Sequence, residues 1–275
     1  MKEDPRIILI ENNGNKGYLT SVVNGGLKIK GKYVTTIDVD DLFSVENTLS
    51  IMYEEIEKNN VDMLGFTSTQ GILDMSNYKF THSSFHNYFE TPIIYQPEIN
   101  EEVFMKNDKG EINGLRDVVW GYIYKAEIFI KAINKIDEKY LNIIMNHIGD
   151  YLLYFILTKT ARTLKYIKKI LLVIVQKKYS DKAAVKFFTE ERDIVRSRTV
   201  CRSYLNYIEF TLTKSDNNLK LASFALKDLY LNNKCKEQTN IRNEGIRICK
   251  LFLQNQYVEN KIKDLINLFL NQINQ

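Results

Sequence analysis

The sequence is poor in cysteine and proline and contains no long apolar run. Its three cysteines, Cys201, Cys235 and Cys249, are widely spaced and show no C-x-x-C pattern, which indicates neither a disulfide framework nor a zinc ribbon. The longest run of aliphatic residues, 170–175 (ILLVIV), is far shorter than the roughly 18 residues that cross a bilayer. No N-x-S/T sequon occurs. We therefore predict a cytoplasmic chain without a transmembrane segment.

The composition is that of a folded globular protein. Of 275 residues, 44% are hydrophobic, 26% are charged and only three are proline, which excludes disordered and collagen-like chains. This length suffices for one large domain, or for a smaller domain with an appendage.

The net charge of +4 conceals two parts of opposite sign. Residues 1–150 contain 15 basic and 23 acidic residues, net −8, and residues 151–275 contain 23 basic and 11 acidic ones, net +12. A basic part could contact nucleic acid, an anionic membrane surface or an acidic partner. Because these charges are scattered among leucine, isoleucine and tyrosine at helical spacing, a solvated helical surface is favoured. We expect no nucleic-acid partner, and peripheral membrane contact through the basic half stays open.

Strand and helix patterns alternate in the first part of the chain. A β-branched run at residues 6–10 (RIILI) predicts a buried strand, the spacing over 17–29 predicts a helix ended by Gly31, and residues 32–37 predict a second strand. Ser44, with Asn47, is expected to cap a helix that runs through Glu57, before a strand at 62–66. Strand, helix, strand is the order of a parallel βαβ unit.

Later segments continue the alternation and then become helical. Residues 67–114 are interpreted as loops with short strands around a substrate, followed by strands at 118–124 and 170–175 and helices at 127–132 and 149–160. From about residue 181 only helical spacing remains. We predict an α/β domain at residues 1–177, with a mostly parallel sheet flanked by helices, and a basic helical region at 178–275.

Three aspartates lie where the strand at 32–37 gives way to a loop. Asp38 and Asp40 are two residues apart, so on an extended strand they point to the same side, and Asp41 follows directly. Ligands of open α/β sheets bind beyond the carboxyl ends of strands. Two carboxylates placed there suit Mg²⁺ or Mn²⁺ bridging to phosphates. The alternative is an acidic loop that is only solvated.

The run from residue 6 to residue 42 resembles the middle of the nucleotide-binding half of family 2 glycosyltransferases, which have the GT-A fold. The family pattern is a strand, N-x-G, a helix carrying R-N-x-G, then G-x-Y and a strand ending in D-x-D-D. The segment 118–129 (VVWGYIYKAEIF) resembles the acceptor-side W-x-x-x-Y-x-x-x-x-F pattern, and Asp150 matches the second residue of the family's E-D pair. The residues that match the first block are Asn15, Gly17, Asn24, Gly26, Gly31, Tyr33, Asp38, Asp40 and Asp41.

The resemblance implies a GT-A-like domain that transfers a sugar from a nucleotide-diphosphate donor to an acceptor hydroxyl of a glycan or other molecule, with inversion. Asp40 and Asp38 would hold Mg²⁺ or Mn²⁺, and Asp38, Asn15 and Asn24 would contact the donor. Asp150 would be the general base, although it could equally cap the helix that follows. Trp120 could stack on an acceptor sugar or belong to the core.

The family's first strand, its P-x-Y-N turn and its V-D-D-G-S segment have no counterpart, so the resemblance implies a domain without its first nucleotide-binding segment. A second hypothesis is therefore an inactive remnant of the fold that serves as a binding or scaffold protein. Phosphoryl transfer ranks below both, because neither a Walker loop nor G-x-G-x-x-G occurs.

Overall fold

The computed structural model describes residues 4–74, 79–86, 90–96, 98–99, 104–106, 112–115, 118–141 and 149–178, with scattered single residues and adjacent pairs between 243 and 271. The helices in these ranges are α1 (Tyr18–Gly26), α2 (Thr48–Asn59), α3 (Ala126–Ile133), α4 (Glu138–Leu141) and α5 (Gly149–Thr160). The strands are β1 (Tyr33–Thr35), β2 (Leu42–Phe43), β3 (Met63–Asp74), β4 (Lys79–His86), β5 (Ile94–Tyr95), β6 (Phe104–Lys106), β7 (Ile112–Leu115), β8 (Tyr122–Lys125) and β9 (Thr163–Lys178).

The chain divides into two compact units. The first comprises residues 1–144 and 153–187 and holds the strands, and the second comprises residues 145–152 and 188–275. The described residues between 243 and 271 are helical, as predicted for the C-terminal region, and most of the predicted region 178–275 lies outside the described residues. Among the described helices, none is both long enough and apolar enough to pass through a bilayer.

A seven-stranded sheet forms the centre of the first unit. Its main order is β1-β8-β3-β9-β2, with β4 paired to β3 and β5 paired to β9. The predicted class, an α/β sheet flanked by helices, is confirmed. The described pairings are mixed: β3 and β9 are parallel, and β1–β8, β8–β3 and β9–β2 are antiparallel.

Helix α2 packs on this sheet and supplies one side of a hydrophobic cluster. The buried members of the cluster are Met52, Ile56, Val61, Leu64, Ile123, Ile167 and Leu171. The helix begins after Asn47 and not after Ser44 as predicted, because the Ser44 hydroxyl instead donates to the carbonyl of Ile170 at 2.6 Å. Asn60 ends the helix in the left-handed conformation, with φ 46°, which asparagine tolerates better than most residues.

Helix α1 ends earlier than predicted, at Gly26 and not near Gly31. A Cβ at Gly26 would lie 2.8 Å from Cδ1 of Ile133 and 3.1 Å from Cε1 of Phe129, so the glycine allows α1 and α3 to approach closely. Leu19, Val23 and Gly26 form the buried side of the helix. The predicted apolar spacing is therefore correct, and packing against α3 explains the glycine.

The buried strand predicted at residues 6–10 is not formed. Residues Ile7, Ile8 and Leu9 are 75%, 57% and 79% exposed, and the segment pairs with no strand among those described. An apolar β-branched run becomes a buried strand only where neighbouring strands and helices cover it, and the described residues provide no such cover here.

Residues 67–74 continue β3, which extends further than the loops with short strands predicted for 67–114. The chain then returns as β4, with Ile72 opposite Thr81 and Asp74 opposite Lys79. β9 is also longer than the predicted strand at 170–175, and it runs beside β3 from Leu164 to Lys178. Lysine-containing segments flank the apolar run within β9, so that run marked only the centre of the strand.

Candidate functional site

The three aspartates occupy a turn beyond the carboxyl end of β1. Since β1 is antiparallel to β8 and β8 is antiparallel to β3, β1 runs in the same direction as β3 and β9. The turn therefore lies toward the edge where open α/β sheets bind ligands. The Thr35 hydroxyl, in the last residue of β1, donates to the carbonyl of Tyr122 at 2.7 Å and holds this strand end on β8.

The backbone of residues 38–41 is not extended. The N–H of Asp41 donates to the carbonyl of Asp38 at 3.0 Å, which closes a turn with the fully exposed Val39 at its tip. The expectation that Asp38 and Asp40 share a side because of strand alternation does not apply, since β1 ends at Thr35. The turn, and not strand alternation, therefore sets the relation between Asp38 and Asp40, whose charges interact.

The side chain of Asp41 attaches the turn to the sheet. Its Oδ1 accepts the backbone N–H of Val175 in β9 at 3.0 Å. Asp38 and Asp40 are exposed, whereas Asp41 is half-buried. Asp38 and Asp40 are thus the more exposed pair of the three.

Negative charge is concentrated in this turn. Desolvation by the surrounding chain, and then the charge of Asp40, raise the pKa of Asp38, although its side chain keeps contact with solvent. Burial also raises the pKa of Asp41, where the Val175 N–H opposes the shift and the charges of Asp38 and Asp40 add to it. A cation placed between the carboxylates would relieve this repulsion.

The donor set fits a metal that substrate phosphates help to hold. Within the described residues, no group of three or more histidine, cysteine, aspartate or glutamate side chains could hold a metal ion by itself. Mg²⁺ commonly binds through one or two carboxylates, substrate phosphates and water. Asp38 and Asp40 match that smaller requirement, so the residues present are compatible with the predicted Mg²⁺ or Mn²⁺.

Asn15 and Asn24, predicted to contact a donor, belong to a local network between the 12–17 loop and α1. The N–H of Gly17 donates to Oδ1 of Asn15 at 2.9 Å, and Nδ2 of Asn24 donates to Oδ1 of Asn12 at 2.8 Å. Asn12 in turn donates to the Ser21 hydroxyl at 2.9 Å. These bonds do not use Nδ2 of Asn15 or Oδ1 of Asn24. Contact of the two asparagines with a sugar donor remains a prediction.

Asn12 and Ser21 were missed by sequence reasoning. The signal that could have found them is the asparagine-rich loop preceding the helix, because asparagine and serine side chains often bond to nearby backbone. The Ser21 hydroxyl does so, donating to the carbonyl of Gly17 at 2.8 Å. Together the four side chains fix the loop that precedes the aspartate turn in the chain.

Asp150, the predicted general base, is the second residue of α5. It is half-buried and lies in the first helical turn, where exposed backbone N–H groups favour a negative charge. Residues 145–152 belong to the second compact unit and the aspartate turn belongs to the first. Its position at a helix start agrees with both the base and the cap interpretations.

Trp120 lies just before β8 and not within a strand. It is half-buried, between the buried Val119 and Gly121, whose φ is 83°. The carbonyl of Gly121 accepts the N–H of Phe66 at 2.9 Å, which fixes this bend on β3. The side chain of Trp120 is therefore partly accessible to solvent, and stacking on an acceptor stays a prediction.

Comparison with known proteins gives one family match and weak structural likenesses. Residues 1–127 match the family model described as Glycosyl transferase family 2. The crystal structures of S. aureus TarS 1-349, alone and in complex with UDP-GlcNAc, both give a TM-score of 0.48, at 11% and 12% identity. The alignments cover 90% and 91% of this chain but only 65% and 64% of the TarS chains.

The search of curated proteins gave no match. The family match covers the 12–17 loop, α1, β1 and the aspartate turn, which are the elements that carry the sequence motifs. The predicted resemblance is thereby confirmed over that segment. Residues 1–127 are therefore similar to the domain that the family 2 glycosyltransferase model describes.

Proposed function

We propose that this protein transfers a sugar from a nucleotide-diphosphate donor to the hydroxyl of a glycan or other acceptor, with inversion at the anomeric carbon. The observation that carries the proposal is the aspartate turn within the family 2 segment. It gathers Asp38 and Asp40 beyond the carboxyl end of β1, and the charge of Asp40 helps to raise the pKa of Asp38.

Asp38 and Asp40 would hold Mg²⁺ or Mn²⁺, which when bound neutralises the charge that develops on the departing diphosphate. Asp38 would also contact the donor, with Asn15 and Asn24 beside it. The 12–17 loop is fixed by its own hydrogen bonds, so the two asparagines would meet the donor with their orientation already set.

Asp150 would act as the base. The acceptor oxygen forms a bond to the anomeric carbon from the face opposite the donor phosphate. The bond from that carbon to the phosphate oxygen breaks, and its electron pair leaves with the nucleotide diphosphate. The acceptor proton passes to the Asp150 carboxylate, which requires a hydrogen bond between them in the complex.

The test is release of nucleotide diphosphate. The full chain is incubated with a panel of nucleotide sugars, Mn²⁺ and candidate hydroxyl acceptors, and the free nucleotide diphosphate is measured. Wild type should release it, and Asp40→Asn should lower the rate by about 10² or more, because charge stabilisation of the leaving group is usually a large term. Glu46→Gln removes an equal charge from an exposed residue close to the turn and should leave the rate unchanged.

The engaged asparagine side chains favour a second candidate, an inactive remnant of the fold that binds a partner. Part of each of the Asn15 and Asn24 amides is already used within the chain. Absence of release with every donor, together with no thermal shift from nucleotide plus Mn²⁺, would refute the enzyme and support the remnant. Release that is unaffected by Asp40→Asn would refute the role given to the turn.

A further inference from the structure

The short strand β2 shows how the aspartate turn is attached to the sheet. β2 contains only Leu42 and Phe43, which pair with Val173 and Leu172 of β9. Beyond them, the N–H of Ser44 donates to the carbonyl of Leu171 at 3.2 Å. In an antiparallel ladder, pairs that exchange hydrogen bonds recur every second residue. The bonded positions are therefore 44 with 171 and 42 with 173.

Extending this register by one more step places residue 40 opposite Val175. In a continued strand the N–H of Val175 would donate to the carbonyl of Asp40. The structure instead shows that N–H donating to Oδ1 of Asp41 at 3.0 Å. The Asp41 carboxylate thus replaces a backbone carbonyl, and the backbone of residues 38–40 is released from the ladder to form the turn.

We propose that Asp41 is the positioning residue of this site, holding the turn that presents Asp38 and Asp40 without being a metal ligand itself. The inference rests on the proposed function in that the other two aspartates are taken as the ligands. Asp41 is fixed on two sides: its Oδ1 is bound to Val175, and its N–H binds the carbonyl of Asp38 at 3.0 Å.

β9 is a firm support for this contact. It runs parallel to β3 in continuous register from Ser68 beside Leu172 to Asp74 beside Lys178, with Gly71 beside Val175. Leu172 and Val173 are buried. Because Val175 is held between β3 on one side and Asp41 on the other, its N–H gives the turn a fixed point of attachment.

The first measurement is amide hydrogen exchange of the full chain without metal or nucleotide. Asp41→Ala removes the acceptor and should speed exchange of the Val175 amide by about tenfold or more, the factor expected for losing roughly 1.5 kcal/mol of a charge-assisted hydrogen bond. Asp41→Asn retains Oδ1 and should keep the amide protected, as should the exposed control Glu46→Gln. Unchanged protection in Asp41→Ala would overturn the inference whether or not the protein is an enzyme.

The second measurement is the affinity for UDP in the presence of Mn²⁺, determined by titration calorimetry. Asp41→Asn should bind within about threefold of wild type, because the positioning bond survives, whereas Asp41→Ala should bind about tenfold more weakly. If Asp41→Asn loses affinity as severely as Asp40→Asn, Asp41 is a ligand and the inference is wrong. If Asp41→Ala is less thermostable but binds as wild type does, its role is structural and the inference is likewise wrong.

Failure of the proposed function gives a different pattern. A wild-type protein that neither binds UDP with Mn²⁺ nor releases nucleotide diphosphate would refute the metal-assisted transfer. The exchange result would still decide whether Asp41 holds the turn on β9, since it needs no ligand.

Discussion

Asp62 offers a sharp test of how the sheet is held together. It lies between α2 and β3 with its side chain 2% exposed, and its two carboxylate oxygens have different partners. Oδ1 lies 3.1 Å from the ammonium of Lys125, and Oδ2 accepts the backbone N–H of Arg162 at 2.9 Å. One carboxylate thus joins the start of β3, the end of β8 and the residue before β9. The perturbation is Asp62→Asn.

The expected cost follows from these contacts. Asparagine keeps an acceptor for the Arg162 N–H but removes the charge opposite Lys125. Lys125 is 21% exposed, so its ammonium can reach water. The Arg162 guanidinium, 3.5 Å away and 78% exposed, contributes little. We therefore expect a loss of about 3 kcal/mol in the free energy of unfolding, the lower end of the range for breaking a buried ion pair.

The pH dependence of this loss has a defined sign. Burial by itself raises the pKa of Asp62, but the Arg162 N–H and the Lys125 ammonium together lower it below its usual value. A lowered carboxyl pKa adds stability above the unfolded-state value of about 3.9 and loses it as the pH falls through the folded-state value. The difference between wild type and Asp62→Asn should be constant from about pH 5 to 8 and shrink below about pH 4.

The assay is urea unfolding followed by fluorescence of Trp120, the single tryptophan, which reports on the first compact unit. A double-mutant cycle with Lys125→Met should show a coupling free energy of about 1 kcal/mol or more. Glu57→Gln, which breaks an exposed ion pair with Lys32, is the matched control and should cost much less. A loss equal to that of the control, or one that does not change with pH, would refute the reasoning.

Two further predictions concern close packing at β3 and at the tyrosines beside it. Gly65→Ala would place a Cβ against the ring of Tyr166. The free energy of unfolding should therefore fall by about 1 to 3 kcal/mol. A Cβ at Gly25 would meet no atom within 4 Å, so Gly25→Ala should raise the free energy of unfolding by about 0.5 to 1 kcal/mol. Thermal melts in which Gly65→Ala is as stable as Gly25→Ala would contradict this packing argument. The Tyr122 hydroxyl lies 3.0 Å from that of Tyr154 and 2.9 Å from that of Tyr166, which are 3.4 Å apart. In urea unfolding, Tyr122→Phe should therefore lower the free energy of unfolding by about 1 kcal/mol more than Tyr154→Phe does. Equal losses would exclude Tyr122 as the centre of this hydroxyl cluster.

The helices and the central strands were predictable because their signals are local. Apolar spacing located α1, α2, α3 and α5 to within a few residues, and β-branched runs located β1 and the centre of β9, while the strand predicted at 62–66 marked only the start of β3. Helix ends were less predictable. α1 stops where Gly26 meets α3, and Ser44 bonds to Ile170 instead of capping α2. Both outcomes depend on residues more than 100 positions away in the chain, which local spacing does not encode.

The site was predictable in its residues but not in its geometry. The aspartates could be singled out by spacing and family resemblance. Their arrangement could not, because the Asp41 contact spans 134 residues, from the turn to Val175. Strand alternation was the wrong model for Asp38 and Asp40, since β1 ends at Thr35 and β2 begins only at Leu42. The contact becomes visible only once β2 and β9 are paired.

Two aspartates hold β9 by the same type of bond in opposite electrostatic settings. Asp62 accepts the N–H of Arg162 just before the strand begins, and Asp41 accepts the N–H of Val175 near its end. The Lys125 ammonium helps to lower the pKa of Asp62, whereas neighbouring carboxylates add to the raised pKa of Asp41. A carboxylate whose charge is balanced within the fold contributes stability there. A turn that gathers like charges gives up stability locally, as binding sites commonly do. This contrast between the two ends of one strand is the physical reason to propose a binding role for the turn and a structural role for Asp62.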